Sequence, residues 1–286
     1  TLAVHINNKE YQVDQVAHHT DDQQAFYQKA GVESIVDAVV DGYHGTVFAY
    51  GQTGSGKTYT MEGYHYAKTA RGPAVDVDAT PDHRHGVVSR AVRGLFDGIR
   101  RKHDDAPRVR VLCSFVQVYR ERVLDLLNPS AAAATWGLSG SGAPRGLKVR
   151  WTASRDFHVE NLFVEEAESP AHALALFESG VRHKVVAETK MNAASSRSHC
   201  LFTLTVQQYK GAVGAGEPVS ESRLTLVDLA GSERQNALDE ATRASIQDSV
   251  EINKSLFTLR KVILSLSGAS ESSARAAPPA HVPYRD

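Results

Sequence analysis

The sequence predicts an α/β sandwich, with strands and helices mixed around one buried core. Three observations carry this. The run Thr46-Val47-Phe48-Ala49-Tyr50 has no polar alternation beyond its start, which marks a short strand buried on both faces of a covered sheet. Val109–Tyr119, His199–Tyr209 and Arg223–Leu229 are rich in β-branched or aromatic residues and predict three further strands. Between and after them, Val88–Arg101, Ser169–Arg182 and Ile246–Leu266 carry helical patterns.

Along the chain, Thr20-Asp21-Asp22 supplies a helix N-cap with acidic residues at the positive end of the dipole. Phe26, Ala30, Ile35, Val36, Val39 and Val40 continue it as one apolar stripe, and Gly42 stops it. Ser169-Pro170 opens another helix with an N-cap followed by proline at the first helical position. Ile252, Leu256, Leu259, Ile263 and Leu266 share one face of a long helix. Residues 64–85, 129–146 and 268–280 are polar or rich in Ala, Gly, Ser and Pro, and predict flexible surface insertions. No internal repeat or heptad run is present.

The 286 residues are 42% hydrophobic and 23% charged, enough for one large domain. No run approaches the length of a membrane-spanning helix. A formal charge of −1 gives no global signal for nucleic acid. Cys113 and Cys200 both sit in alternating apolar runs, which predicts buried, reduced thiols.

Gly51-Gln52-Thr53-Gly54-Ser55-Gly56-Lys57-Thr58 fits the phosphate-loop pattern G-x-x-x-x-G-K-[ST]. Its glycines let successive backbone N–H groups turn inward onto phosphate oxygens. Lys57 is placed to reach the β- and γ-phosphates, and Thr58 to offer its hydroxyl to Mg²⁺. The helix-compatible segment Lys57–Met61 adds its N-terminal dipole to the same anion site. Two later segments supply what hydrolysis still needs. Asn192–His199 gathers hydroxyls and an arginine just before a strand. Asp228–Glu233 places a carboxylate at the end of another, with Gly231 able to bring a bare N–H to a γ-phosphate.

Together with Gly42–Thr53, Met61-Glu62-Gly63, Ile252-Asn253-Lys254-Ser255-Leu256 and Val282-Pro283-Tyr284-Arg285-Asp286, these segments resemble the kinesin motor domain over nearly the whole chain. The resemblance implies a P-loop NTPase fold, a central, mostly β-sheet flanked by helices on both faces, with ATP and Mg²⁺ as ligands. It implies an ATP-hydrolysing motor on microtubules, located in the cytoplasm and cytoskeleton. A microtubule-binding or regulatory module with residual hydrolysis is the alternative, and a phosphate-loop ATPase unrelated to filaments a remote third.

By resemblance, Asn192–His199 is the first switch, with Ser196 a magnesium ligand and Ser195 near the γ-phosphate and attacking water. Asp228–Glu233 is the second, with Asp228 holding Mg²⁺ through water. Arg197 and Glu233 form the ion pair that closes the site. Tyr59 either lies beside the adenine or packs in the core. Track binding is expected over roughly Gln235–Leu266, with Arg243, Lys254, Arg260 and Lys261 as cations.

The sequence also departs from the family pattern. The family's first strand, with its R-x-R-P segment, has no counterpart before Thr1, and its closing strand, final helices and neck linker have none after Asp286. Residues 1–286 alone are therefore expected to be poorly stable and non-motile. His183-Lys184 replaces the usual Asn-Arg, which is expected to weaken a contact that follows the nucleotide state. Arg260-Lys261 replaces Gly-Asn and adds charge near the track face.

Overall fold

The computed structural model describes residues 2–6, 8–69, 72–76, 80–102, 108–128, 146–153, 156–191, 195–211, 213, 216–233 and 254–267. The chain opens with hairpin β1 (Leu2–Ile6)–β2 (Lys9–Val13), followed by helices α1 (Gln23–Lys29) and α2 (Val32–Val40). Strand β3 (Gly45–Ala49) leads into α3 (Lys57–Met61), hairpin β4 (His65–Thr69)–β5 (Gly72–Asp76) and helix α4 (Val87–Lys102). Then come β6 (Val109–Tyr119), β7 (Arg122–Asp125), β8 (Val149–Thr152), β9 (Asp156–Val159) and β10 (Glu165–Glu166). Helix α5 (Pro170–Met191) precedes β11 (His199–Gln208) and β12 (Ser220–Asp228), and helix α6 covers residues 254–267.

The main sheet runs in the order β10-β6-β11-β12-β3, with β7 paired to β6. Only β12 and β3 run parallel in it; the other pairs are antiparallel. Period-2 alternation gives this sheet two distinct faces. Cys200, Phe202, Leu204 and Val206 of β11, with Leu224 and Leu226 of β12, enter the large core beneath α2, α4 and α5. The residues between them point the other way, where Leu201, Val227 and Leu229 meet Leu256 and Leu259 of α6. Helices therefore cover both faces, as the sequence implied. At the centre of the larger core, the rings of Phe115 (β6), Phe177 (α5) and Phe202 (β11) lie 5.0–5.5 Å apart. Cys113 and Cys200 are buried free thiols in that same core, as expected, and burial pushes Cys113 up to about 12.

Four elements differ from the sequence reading. Gly31, at φ +67, breaks the expected continuous helix into α1 and α2. Asp22 does cap α1, accepting from the Ala25 N–H at 2.8 Å. Strand β3 is not buried on both faces. Val47 and Ala49 pack on the core that α2 covers, while Phe48, on the opposite face, is left 44% exposed. Helix α5 starts at the Ser169 cap, whose hydroxyl accepts from the His172 N–H, but continues to Met191 because Val181, Lys184 and Val185 extend its buried stripe. The expected insertion at 64–85 is not a plain loop. It contains hairpin β4–β5, anchored by the buried rings of Tyr64 and His85 in edge contact. Residues 129–145 and 268–280 lie outside the described residues.

Gly180 lets α5 approach β6, because a Cβ there would strike the Phe115 ring. Gly180→Ala gains about 1 kcal/mol of helix propensity but meets an overpacking cost of about 1–3 kcal/mol. A net loss of stability is expected, read as a lower denaturation midpoint. A raised midpoint contradicts this packing.

Candidate nucleotide-binding site

Strand topology, not sequence proximity, assembles the site. β3 and β12 run parallel with Ala49 opposite Asp228, so both chains leave the sheet at the same end. β11 runs antiparallel to β12 with Cys200 opposite Asp228, so the segment before β11 arrives there too. The loop after β3, the turn before β11 and the segment after β12 thus converge outside the carboxyl ends of the parallel strands, where open α/β sheets place their ligand crevice.

The loop Gly51–Thr58 turns on Gly54 (φ +79) and Gly56 (φ +91), conformations that side-chain-bearing residues avoid. Gly56 is also the N-cap of α3, so the loop's last amides begin the helix. Lys57 Nζ donates to the Gly51 and Gln52 carbonyls, each at 2.9 Å, which holds the ammonium over its own loop. Gln23, buried on α1, donates to the Tyr59 carbonyl at 2.7 Å and pins the same helix. The Tyr59 ring is 50% exposed, which rules against core packing.

Four consecutive amides after β12 bind the three segments together. Leu229 N–H donates to the Ala49 carbonyl (3.4 Å) and Ala230 N–H to His199 Nδ1 (3.0 Å). Gly231 N–H donates to the Ser196 carbonyl (2.7 Å) and Ser232 N–H to the Gly51 carbonyl (3.1 Å). The Gly231 N–H expected at a γ-phosphate is thus engaged by the neighbouring segment, where Ser195–Arg197 forms one 3-10 turn. Glu233 turns back onto the loop, accepting from the Thr53 N–H (2.8 Å) and from the Thr53 hydroxyl. Burial opposes its charge, but these bonds, its own backbone amide and Lys57 together hold the carboxyl below the usual range. A Cβ at Gly231 would meet the Glu233 carboxylate and the Thr53 hydroxyl, so a side chain there would displace that contact.

The donor set fits a hydrated magnesium ion. Asp228 Oδ2 accepts from the Thr58 hydroxyl at 2.7 Å, so the two expected ligands are already in contact. Asp228 Oδ1 is buried without a hydrogen-bond partner, the kind of orphaned oxygen that a metal-bound water satisfies. Burial raises the Asp228 carboxyl above its ordinary range against the opposing charge of Lys184.

His183 and Lys184 both have partners in this structure. His183 Nδ1 lies 2.7 Å from the Leu126 carbonyl. Lys184, 1% exposed, pairs with Glu62 at 2.6 Å at the end of α3, and Tyr66 donates to the same carboxylate. The lysine therefore ties α5 to the phosphate-loop helix. Sequence reasoning also missed His199 as an individual residue. Its odd position in the alternation of β11, on the face of Leu201, was the available signal. Lys254, Arg260 and Lys261 are exposed on α6, with Lys261 Nζ 4.8 Å from the Phe257 ring centre. Asn192–Ala194, Gln235–Asn253 and Arg243 lie outside the described residues.

Comparison with known proteins gives one answer. The model of the kinesin motor domain matches residues 2–286. Kinesin-like protein KIF15 of Strongylocentrotus purpuratus is 34% identical over 281 residues, 97% of this chain and 17% of that protein. Kinesin-like protein KIN-12G of Oryza sativa subsp. japonica is 36% identical over 280 residues, 96% of this chain and 20% of that protein. The kinesin heavy chain of Syncephalastrum racemosum is 35% identical over 255 residues, 89% of this chain and 23% of that protein. The chain thus spans about a fifth of the length of these relatives. A solved structure of a fast kinesin, described for its ATPase mechanism and interactions with microtubules, superposes with a TM-score of 0.70 at 31% identity, covering 97% of this chain and 67% of that one.

Burial pushes the His199 imidazole down from 6.5 to about 4. The unfolded chain therefore takes up a proton below pH 6.5 that the folded chain refuses until about pH 4, so stability falls as pH drops through that window. The full loss is about 3 kcal/mol. Urea unfolding at pH 7 and pH 4 is expected to show a smaller loss in His199→Gln than in wild type. Equal losses contradict the assignment.

Proposed function

The chain belongs to the kinesin motor-domain family, and on that premise we propose that it hydrolyses Mg·ATP at this site and couples turnover to microtubule binding and movement. The observation that carries the reading is the run of amides from Leu229 to Ser232, which ties the segment after β12 to both the phosphate loop and the turn before β11. A change of partner at one amide is felt by all three segments.

In this reading the loop Gly51–Thr58 binds the phosphates. Lys57 exchanges its two loop carbonyls for β- and γ-phosphate oxygens, and Tyr59 stands on the adenine side. Thr58 and Ser196 offer hydroxyls to Mg²⁺, and Asp228 holds it through water. When bound, that ion neutralises charge on the transferring phosphoryl group. Ser195 positions the attacking water, and Gly231 N–H leaves the Ser196 carbonyl for the γ-phosphate. Glu233 then leaves Thr53 to pair with Arg197, closing the site and excluding bulk water. The track face is Gln235–Leu266, with Arg243, Lys254, Arg260 and Lys261 steering onto an acidic filament surface. Those contacts weaken with salt. The cytoplasm and microtubule cytoskeleton are the corresponding location.

Glu233→Ala is expected to lower ATP turnover by about a hundredfold or more while nucleotide affinity stays within a few fold, since the residue acts in closure. Steady-state turnover and fluorescent-nucleotide titration measure the two. Turnover at the wild-type rate contradicts the closure role.

A further inference from the structure

His199 is the first residue of β11 and sits between the nucleotide segments and α6. Its Nδ1 accepts the Ala230 N–H at 3.0 Å, and its Nε2 lies 2.9 Å from the Ser255 hydroxyl. An imidazole that accepts at Nδ1 carries its proton on Nε2, so Nε2–H donates to Ser255. The ring is thus a neutral two-ended link: one end reads a backbone amide within the run Leu229–Ser232, and the other grips Ser255 of α6. Beside it, Leu256 and Leu259 pack on Val227, Leu229 and Leu201, so α6 rests on the strand ends that carry the site. The apolar contact is non-directional and allows sliding. The hydrogen bonds of His199 are directional and set the position of the helix relative to the Ala230 peptide.

We infer that His199 is a positioning residue that couples the Ala230–Gly231 peptide of the nucleotide site to α6 through Ser255, so that the position of the helix follows the nucleotide state. This rests on the motor reading above. When Gly231 N–H changes partner, the Ala230 peptide reorients, and the acceptor at Nδ1 must follow it or lose its bond. Either response moves or frees the donor at Nε2, and with it Ser255. Low proton affinity keeps the ring in its neutral, two-ended form at neutral pH.

The test uses the full-length protein and measures microtubule affinity with a non-hydrolysable ATP analogue and with ADP. The readout is the ratio of the two affinities. Ser255→Ala removes the acceptor on α6. His199→Asn keeps an acceptor near Nδ1 but cannot reach Ser255. Each is expected to shrink the wild-type ratio by about fivefold or more, the double variant no further, and Ser255→Thr is expected to keep it. A merely structural role predicts lower thermal stability with the ratio unchanged, and that result overturns the inference, as do additive effects in the double variant. Ser255→Ala decides the question alone if His199→Asn fails to fold. A wild-type ratio near one overturns the motor reading itself, and it is seen before any variant is made.

Discussion

The parallel pairing of β3 with β12 is the constraint on which the site depends. With Ala49 opposite Asp228, the phosphate loop and the segment carrying Gly231 and Glu233 leave the sheet side by side. Antiparallel pairing of β11 with β12 brings Ser196 and His199 to the same end. Backbone groups then complete the join: four successive amides, Leu229 to Ser232, each find an acceptor on a neighbouring segment. Side chains alone would give a looser site, because each adds rotamer freedom that a peptide group lacks.

In the proposed motor, that arrangement would also let the site switch. The groups expected to meet phosphate or Arg197 are held by protein partners: Lys57 by loop carbonyls, Gly231 by Ser196, Glu233 by Thr53. Each polar group is satisfied, so the resting arrangement is stable, and each partner is one that a phosphate oxygen or Arg197 can replace. Exchange of hydrogen bonds, rather than creation of new ones, keeps the energy difference between states small enough for a ligand to shift. The buried Lys184–Glu62 pair and the Phe115–Phe177–Phe202 cluster supply the fixed frame behind these exchanges.

The phosphate loop, the strands β6, β11 and β12 and the helix α4 were legible because each carries a local signal: glycine spacing, or a period of 2 or 3.6. Strand β3 misled, since a continuous apolar run reports hydrophobicity but not whether both faces of the strand are covered. The break at Gly31 was missed because the apolar stripe continues across it. Hairpin β4–β5 has little periodicity, so its polar sequence resembled a loop. The partners of Glu233, Lys184 and His199 could not be read at all, because Thr53, Glu62 and Ser255 are distant in sequence and meet only once the sheet has formed. Roles for Ser195, Ser196 and Arg197 came from family resemblance, and the spacing alone was compatible with an ordinary polar turn.

In the proposed motor, one end of this sheet both hydrolyses ATP and answers to a filament bound at α6. Steady-state ATP turnover of the full-length protein, measured with and without polymerised tubulin, tests it most directly. Turnover is expected to rise strongly and saturably with microtubule concentration. Basal turnover that polymerised tubulin leaves unchanged would contradict it.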